Sequence, residues 1–304
     1  MLDVKTRWNS TYSMIEHAIR LKAGLTVTMQ AMYDEIAAKA RRSQTNDEHE
    51  QQFMQITEEH WKQFEDICLL LEPLNDATEI LSGGNYPTLN MVVPAYNLLL
   101  DHLEKLAFPP LPSSTIYTES ANMVDAAKST FMKLHKYYDI SSELCTISTV
   151  LDPRLKLQFY ANDTSGDAEV PAEIRTYVNQ FYARYAESSV PSSSIHRPKR
   201  SKFAEKMYQQ TTGAIRQSEL TTYLSEPVME NGEQFDILDY WRTNSSRFPN
   251  LSRMAWDYLA IPGTSTPSER AFSGGRPLVT DFRCSLKAET ITACMLLKDW
   301  LKKE

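Results

Sequence analysis

The stretch STPSERAFSGG, residues 265–275, carries a single carboxylate, Glu269, at a spacing that permits two kinds of chemistry. Thr266 reads as a helix N-cap, Pro267 as the first helical position, and Glu269 falls three residues after the cap. This is the capping-box arrangement, and an acid there also meets the positive end of the helix dipole. The other chemistry is metal binding, in which a carboxylate helps to hold two divalent cations that activate water and stabilise a leaving oxygen. Such a site needs several carboxylates converging from different elements. Spacing alone favours the cap, because the cap needs no distant partner. The run RPKRSK at 197–202 is the one compact basic cluster between residues 161 and 218. It reads as a solvated linker segment first, and as a nuclear-import or DNA-backbone contact second.

Composition narrows the classes of protein that could carry these groups. The chain has 304 residues, 42% of them hydrophobic, enough for one large or two modest cores. No run of 18 or more apolar residues is present, and MLDVKTRWNS resembles neither a secretory signal nor an arginine-rich leader, so no membrane partner and a cytosolic or nuclear site are expected. Cys68, Cys145, Cys284 and Cys294 are scattered without a C-x-x-C pair, so the spacing supports neither a disulfide framework nor a zinc finger and they read as ordinary buried thiols. With 32 basic and 39 acidic side chains the net charge is -7, so any attraction to phosphate must come from a local patch. Nine glycines are too few for a glycine-rich β chain, and Gly83-Gly84 and Gly274-Gly275 read as turn or helix-end residues.

The elements that must position these groups are predicted to be helices. After Ser10, read as a cap, apolar side chains recur at Tyr12, Ile15 and Ile19, with Glu16 and Arg20 paired on the other face. The pattern from Trp61 to Leu81 is helical with a kink or break at Pro73. A second long helix covers TLNMVVPAYNLLLDHLEKL after the turn SGGNYP, and a third covers ANMVDAAKSTFMKLHKYY. STVLDPRLKLQFY is predicted to open another, with Asp152 as cap and Pro153 at its first position. These elements make residues 51–160 a helical region. Residues 161–218 are polar and serine-rich around one amphipathic helix at EIRTYVNQFYARYA, and read as a linker.

From 219 to 304 ordered structure is expected to resume, with a break at Pro249-Asn250. Phe235, Tyr240, Trp241, Phe248, Trp256 and Tyr258 are expected in a dense core. The last helix, from about Leu286, sets Ala293, Leu296, Leu297, Trp300 and Leu301 on one apolar face. Either the chain itself or a second copy must cover that face, and the sequence leaves both open.

Three blocks resemble hAT-superfamily transposases and the zinc-finger BED-type proteins related to them. They are DVKTRWNSTYSMI at 3–15, LDPRLK at 151–156, and YLAIPGTSTPSERAFSGG at 258–275 followed by RCSLKAETITACMLLKDWLK at 283–302. The resemblance implies a mainly α chain, with a helical insertion domain at 51–160, an incomplete RNase H-like α/β remnant that includes residues 1–50, a polar linker, and a C-terminal hAT dimerisation region at 219–304. It implies that Glu269 is the third metal-binding acid of the family's nuclease, which uses Mg²⁺ or Mn²⁺. It also implies that Arg7 and Trp8, with Arg270, contact DNA, the indole stacking on a base. Without the resemblance Trp8 would be read as a core aromatic.

The family's first two acids, its C-x-x-H motif and its BED finger lie upstream of the TRWNST block, where only seven residues precede Trp8. Asp3 matches neither acid, and Asp152 matches a motif that reads as a cap. The expectation is therefore an N-terminally truncated transposase or transposase-derived nuclear protein. It would keep self-association through Leu296, Leu297, Trp300 and Leu301, bind no cofactor of its own, and make weak DNA contacts without cutting DNA. Its partner would be a second copy or a full-length transposase. The rival expectation is a nuclease that becomes active with a full-length partner or with a region upstream of Met1.

Overall fold

A computed structural model describes residues 8–43, 56–108, 120–138, 143–162, 169–187, 218–230, 232, 235–275, 278 and 285–301. Every regular element among them is helical, and the chain divides into two compact units, residues 1–80 with 95–140, and residues 81–94 with 141–304. The mainly α expectation is met. The α/β remnant that the resemblance implies shows no strand among the described residues, where 8–43 form two helices and 218–301 hold five.

The first unit holds α1 (Trp8–Arg20), α2 (Lys22–Ser43), α3 (Glu58–Leu81), most of α4 (Val92–Ala107) and α5 (Ala121–Tyr138). Helix α1 starts two residues before Ser10, so Ser10 lies in its first turn and is not its cap. Its predicted stripe is right: Tyr12 and Ile15 are buried, and Glu16 pairs with Arg20 across the outer face. Thr57 begins α3, its hydroxyl accepting from the His60 N–H at 3.3 Å while Glu58 and Glu59 occupy the first turn. Trp61 is buried, edge-on to Phe64 at 5.6 Å. Leu70, Leu103, Leu106, Ala107 and Ala127 form the core between α3, α4 and α5, with Phe131 and Leu134 packed around it.

A kink or break is expected at Pro73, and α3 continues through it without a break. Proline has no N–H to offer the carbonyl four residues back, that of Leu69, and this would ordinarily stop or kink the helix. Here Nε2 of His102 on α4 lies 3.0 Å from the Leu69 carbonyl oxygen and donates to it. Burial pushes the His102 pKa down, against the upward pull of that bond and of Glu72.

The second unit contains the 3₁₀ turn Leu89–Met91, α6 (Glu143–Val150), α7 (Gln158–Ala161), α8 (Glu169–Glu187), α9 (Glu219–Ser225), α10 (Ile237–Thr243), α11 (Pro249–Leu259), α12 (Thr266–Gly275) and α13 (Ala288–Trp300). Helix α8 is the amphipathic segment expected inside the linker, and it buries Val178 and Tyr182 and packs on α11. The rest of that stretch, 163–168 and 188–217 with the RPKRSK cluster, lies outside the described residues.

The LDPRLK block does not open a helix at Asp152. Asp152 is fully buried, and its carboxylate accepts from Asn90 Nδ2 at 2.7 Å, from the Arg154 backbone N–H at 3.0 Å, and from Arg154 Nε and a terminal guanidinium nitrogen at 3.0 and 2.7 Å. The N–H groups of Leu155 and Lys156 both return to the Asp152 carbonyl, and Lys156 then takes a left-handed backbone with φ 50°. That conformation ends any helix within one turn. It also aims Lys156 Nζ at the carbonyls of Tyr223, Glu226 and Pro227 at 2.8, 3.1 and 3.2 Å, where it covers the C-terminal end of α9. The ammonium sits 4.3 Å from the centre of the Tyr223 ring, and burial lowers its pKa.

Around this turn the predicted aromatic core assembles. Trp241 is fully buried, donates from Nε1 to the Leu151 carbonyl at 3.0 Å, and packs against Tyr223 at 5.1 Å. The Tyr223 hydroxyl donates to the Val150 carbonyl at 3.1 Å, and Phe248 and Tyr258 are buried nearby. Three of the six predicted core aromatics depart from that expectation: Phe235 and Tyr240 are only partly buried, and Trp256 is 50% exposed on the outer face of α11. The predicted interruption at Pro249 is the start of α11, with Pro249 at its first position. Its cap comes from outside: the Glu219 carboxylate accepts the Asn250 and Leu251 N–H groups, each at 2.9 Å.

Candidate functional site

The helix that carries Glu269 is positioned by a junction of two loops within the second unit. Gly263 donates its N–H to the Thr88 hydroxyl at 2.9 Å, the Thr264 hydroxyl donates to the Leu81 carbonyl at 3.3 Å, and the Ser82 and Thr266 hydroxyls lie 3.3 Å apart. This approach requires glycine, because a β-carbon at 263 would lie 3.0 Å from the Thr88 carbonyl oxygen and 2.9 Å from a Val92 methyl. The IPGTSTPSER sequence is thus seated on the SGGNYPT turn more than 170 residues upstream in the chain, a pairing that local sequence does not signal.

Helix α12 begins at Thr266, which moves the expected cap back by one residue to Ser265 and makes Pro267 the second helical position. Ser265 accepts the Glu269 N–H on its carbonyl at 3.0 Å, and its hydroxyl donates to Glu269 Oε1 at 2.6 Å. The carboxylate therefore does hold the helix start, through the Ser265 side chain rather than through a capping box on Thr266. Glu269 is exposed in the first turn of α12. Among the described residues no group of three His, Cys, Asp or Glu side chains stands close enough to hold a metal ion.

Arg270 is also exposed, its guanidinium over Gly84 so that a β-carbon there would be 3.3 Å away. A groove of about 690 Å³ opens beside this junction, lined by Tyr86, Asp236, Asp239, Arg242, Trp256 and Pro267, among others. The structure thus places Glu269 and Arg270 side by side on one exposed helix start. Arg7 and the side chain of Trp8 lie outside the described residues.

The apolar face expected on the last helix is present, and among the described residues it is exposed. Leu296, Leu297 and Trp300 of α13 and Leu301 just after it are 47%, 52%, 60% and 70% exposed, and Ala293 is exposed with them. The side of α13 turned to α12 is a different one. Met295 sulfur would lie 3.4 Å from a β-carbon at Gly275, and Lys298 Nζ donates to the Gly274 carbonyl at 3.1 Å, so the two glycines at the end of α12 admit α13 closely. Sequence reasoning missed Phe272, which sits on α12 at 82% exposure. It lines a second groove of about 690 Å³ with Ile291, Met295 and Leu296, continuous with the exposed stripe.

No helix among the described residues is long and apolar enough to cross a membrane. Residues 219–301 match the family model for the hAT family C-terminal dimerisation region. Over 98% of its length the chain is 28% identical to the putative AC transposase of Zea mays, and over 99% it is 26% identical to the zinc finger BED domain-containing protein DAYSLEEPER of Arabidopsis thaliana. It is also 25% identical over 97% of its length to the putative transcriptional regulator tpeD of Talaromyces stipitatus. The chain spans 36%, 40% and 31% of these three proteins. Helices α9 to α13 thus fall within a match to the hAT family C-terminal dimerisation region, and along nearly its whole length the chain is similar to a putative transposase and to a zinc finger BED domain-containing protein.

Proposed function

We propose that this chain is the self-associating part of a hAT-type transposase or transposase-derived nuclear protein, and that two copies meet through the exposed face of α12 and α13. The observation that carries the reading is the set Phe272, Leu296, Leu297, Trp300 and Leu301, all exposed on adjoining helices of a dimerisation region. Large apolar side chains clustered on a surface are favourable to bury and costly to leave in water, and aromatic residues are the usual anchors of such contacts. The purified 304-residue chain is expected to be dimeric by light scattering at tens of micromolar, where a contact with Kd near ~1 μM is largely saturated. Trp300→Glu should shift it to monomer with an unchanged circular dichroism spectrum. A wild-type chain that is monomeric at those concentrations would refute the proposal.

DNA contact in this reading is weak and runs through backbone charge, with Arg270 on the exposed helix start and Arg7, Trp8 and the 197–202 cluster as further groups. Glu269 serves the start of α12 and cuts no DNA by itself, supported by its bond to Ser265. Incubation with duplex terminal-repeat DNA and Mg²⁺ or Mn²⁺ tests both points. Binding should fade steeply as salt rises, and no nicking should appear. Metal-dependent nicking that is lost in Glu269→Gln, a change that keeps a hydrogen-bond acceptor but supplies a poor ligand for a hard cation, would assign Glu269 to catalysis instead.

A further inference from the structure

Helix α3 contains a proline four residues after Leu69, and its core face, at Leu70 and the partly buried Leu69, packs into the α4–α5 cluster. A break at Pro73 would therefore disturb the packing on which the unit rests. Two facts bear on how the break is avoided. Pro73 removes the one backbone donor that a regular helix would offer to the Leu69 carbonyl. The His102 ring, on the neighbouring α4, supplies a donor at 3.0 Å to that same oxygen. A carbonyl can only accept, so Nε2 carries the hydrogen in this contact.

We infer that His102 and Pro73 form a helix joint, in which the imidazole substitutes for the missing proline N–H and decides whether α3 stays helical across residues 69–73. The joint ties the straightness of one helix to the position of its neighbour, since the donor arrives from α4 and is withdrawn whenever α4 moves off. A proline-containing helix without such a donor bends or opens there, whereas this one is held only while α3 and α4 are packed together. His102 is a positioning residue, and the joint is a conformational device of the first unit, independent of the association surface and of Glu269.

The inference makes a demand that a merely packed histidine would not meet: His102 must matter when residue 73 is proline and cease to matter when residue 73 carries an N–H. The experiment is a double-mutant cycle on the full chain with His102→Ala, Pro73→Ala and the pair, read by amide hydrogen exchange in α3. In the proline background His102→Ala should speed exchange around residues 70–77 by about tenfold, the factor expected for loss of one such bond to a half-buried carbonyl. In the Pro73→Ala background the same change should alter exchange less than about twofold, because the backbone N–H then present at position 73 serves Leu69. His102→Gln, whose amide can still donate, should retain most of the protection. Should His102→Ala prove insoluble, recovery of a folded chain on adding Pro73→Ala supports the joint, and failure to recover overturns it. Equal effects of His102→Ala in both backgrounds also overturn it.

Discussion

Asp152→Ala is expected to lower the stability of the second unit by about 3–5 kcal/mol, the range for removing one partner from a buried ion pair. The side chain has no exposed surface and accepts four hydrogen bonds, three of them from Arg154 and one from Asn90. Its removal leaves a half-buried guanidinium whose pKa is now raised by that bond, and frees the backbone turn that sends Lys156 toward α9. The consequence should reach beyond the local turn, because the carbonyls of Val150 and Leu151 just before it hold Tyr223 and Trp241. For a unit of this size the thermal midpoint should fall by on the order of 10 °C. Asp152→Asn keeps the shape and part of the bonding and should cost roughly half as much. A midpoint for Asp152→Ala within about 2 °C of wild type would show that the LDPRLK turn is not what joins these elements.

The second large effect is expected at Trp241. Trp241→Ala should cost about 3–5 kcal/mol, the usual range for truncating a core tryptophan. Two terms contribute: the indole is fully buried between Tyr223 and Tyr240, and its N–H satisfies the Leu151 carbonyl. Trp241→Phe separates them. It keeps a ring in the site but leaves that carbonyl without its donor, for a cost of about 1–3 kcal/mol. Chemical denaturation followed by far-ultraviolet circular dichroism reads both variants. Trp241→Phe indistinguishable from wild type would mean that the Leu151 bond contributes nothing and that packing alone is at stake.

Much of this protein is legible along the chain. The 3.6-residue spacing of Tyr12, Ile15 and Ile19 sets the inner side of α1, where the first two are buried and Ile19 is partly buried, and 121–138 is a helix with the bounds its pattern suggests. The stripe at Leu296, Leu297, Trp300 and Leu301 also follows from spacing alone, as does the proximity of Glu269 to a helix start. These features are determined by residues within a few positions of one another, so sequence reasoning reaches them.

What only the tertiary structure decided are the cases where a distant residue supplies a missing partner. Pro73 should kink or break a helix by local rules, yet α3 continues through it, and a ring nitrogen of His102 on another helix meets the Leu69 carbonyl that the proline leaves without its backbone donor. Asp152 and Pro153 look like a helix start, but Asn90 and Arg154 claim the carboxylate in a tight turn instead. Glu219 caps a helix that begins thirty residues later, and Thr88 receives the Gly263 N–H from the far end of the chain. Whether the last helix would be covered by its own chain was likewise open until the packing showed Met295 and Lys298, not Trp300, turned to α12. The physical reason is common to all of them. A hydrogen-bonding group or an apolar face states in the sequence that it needs a partner, and only the folded chain determines which partner comes within reach.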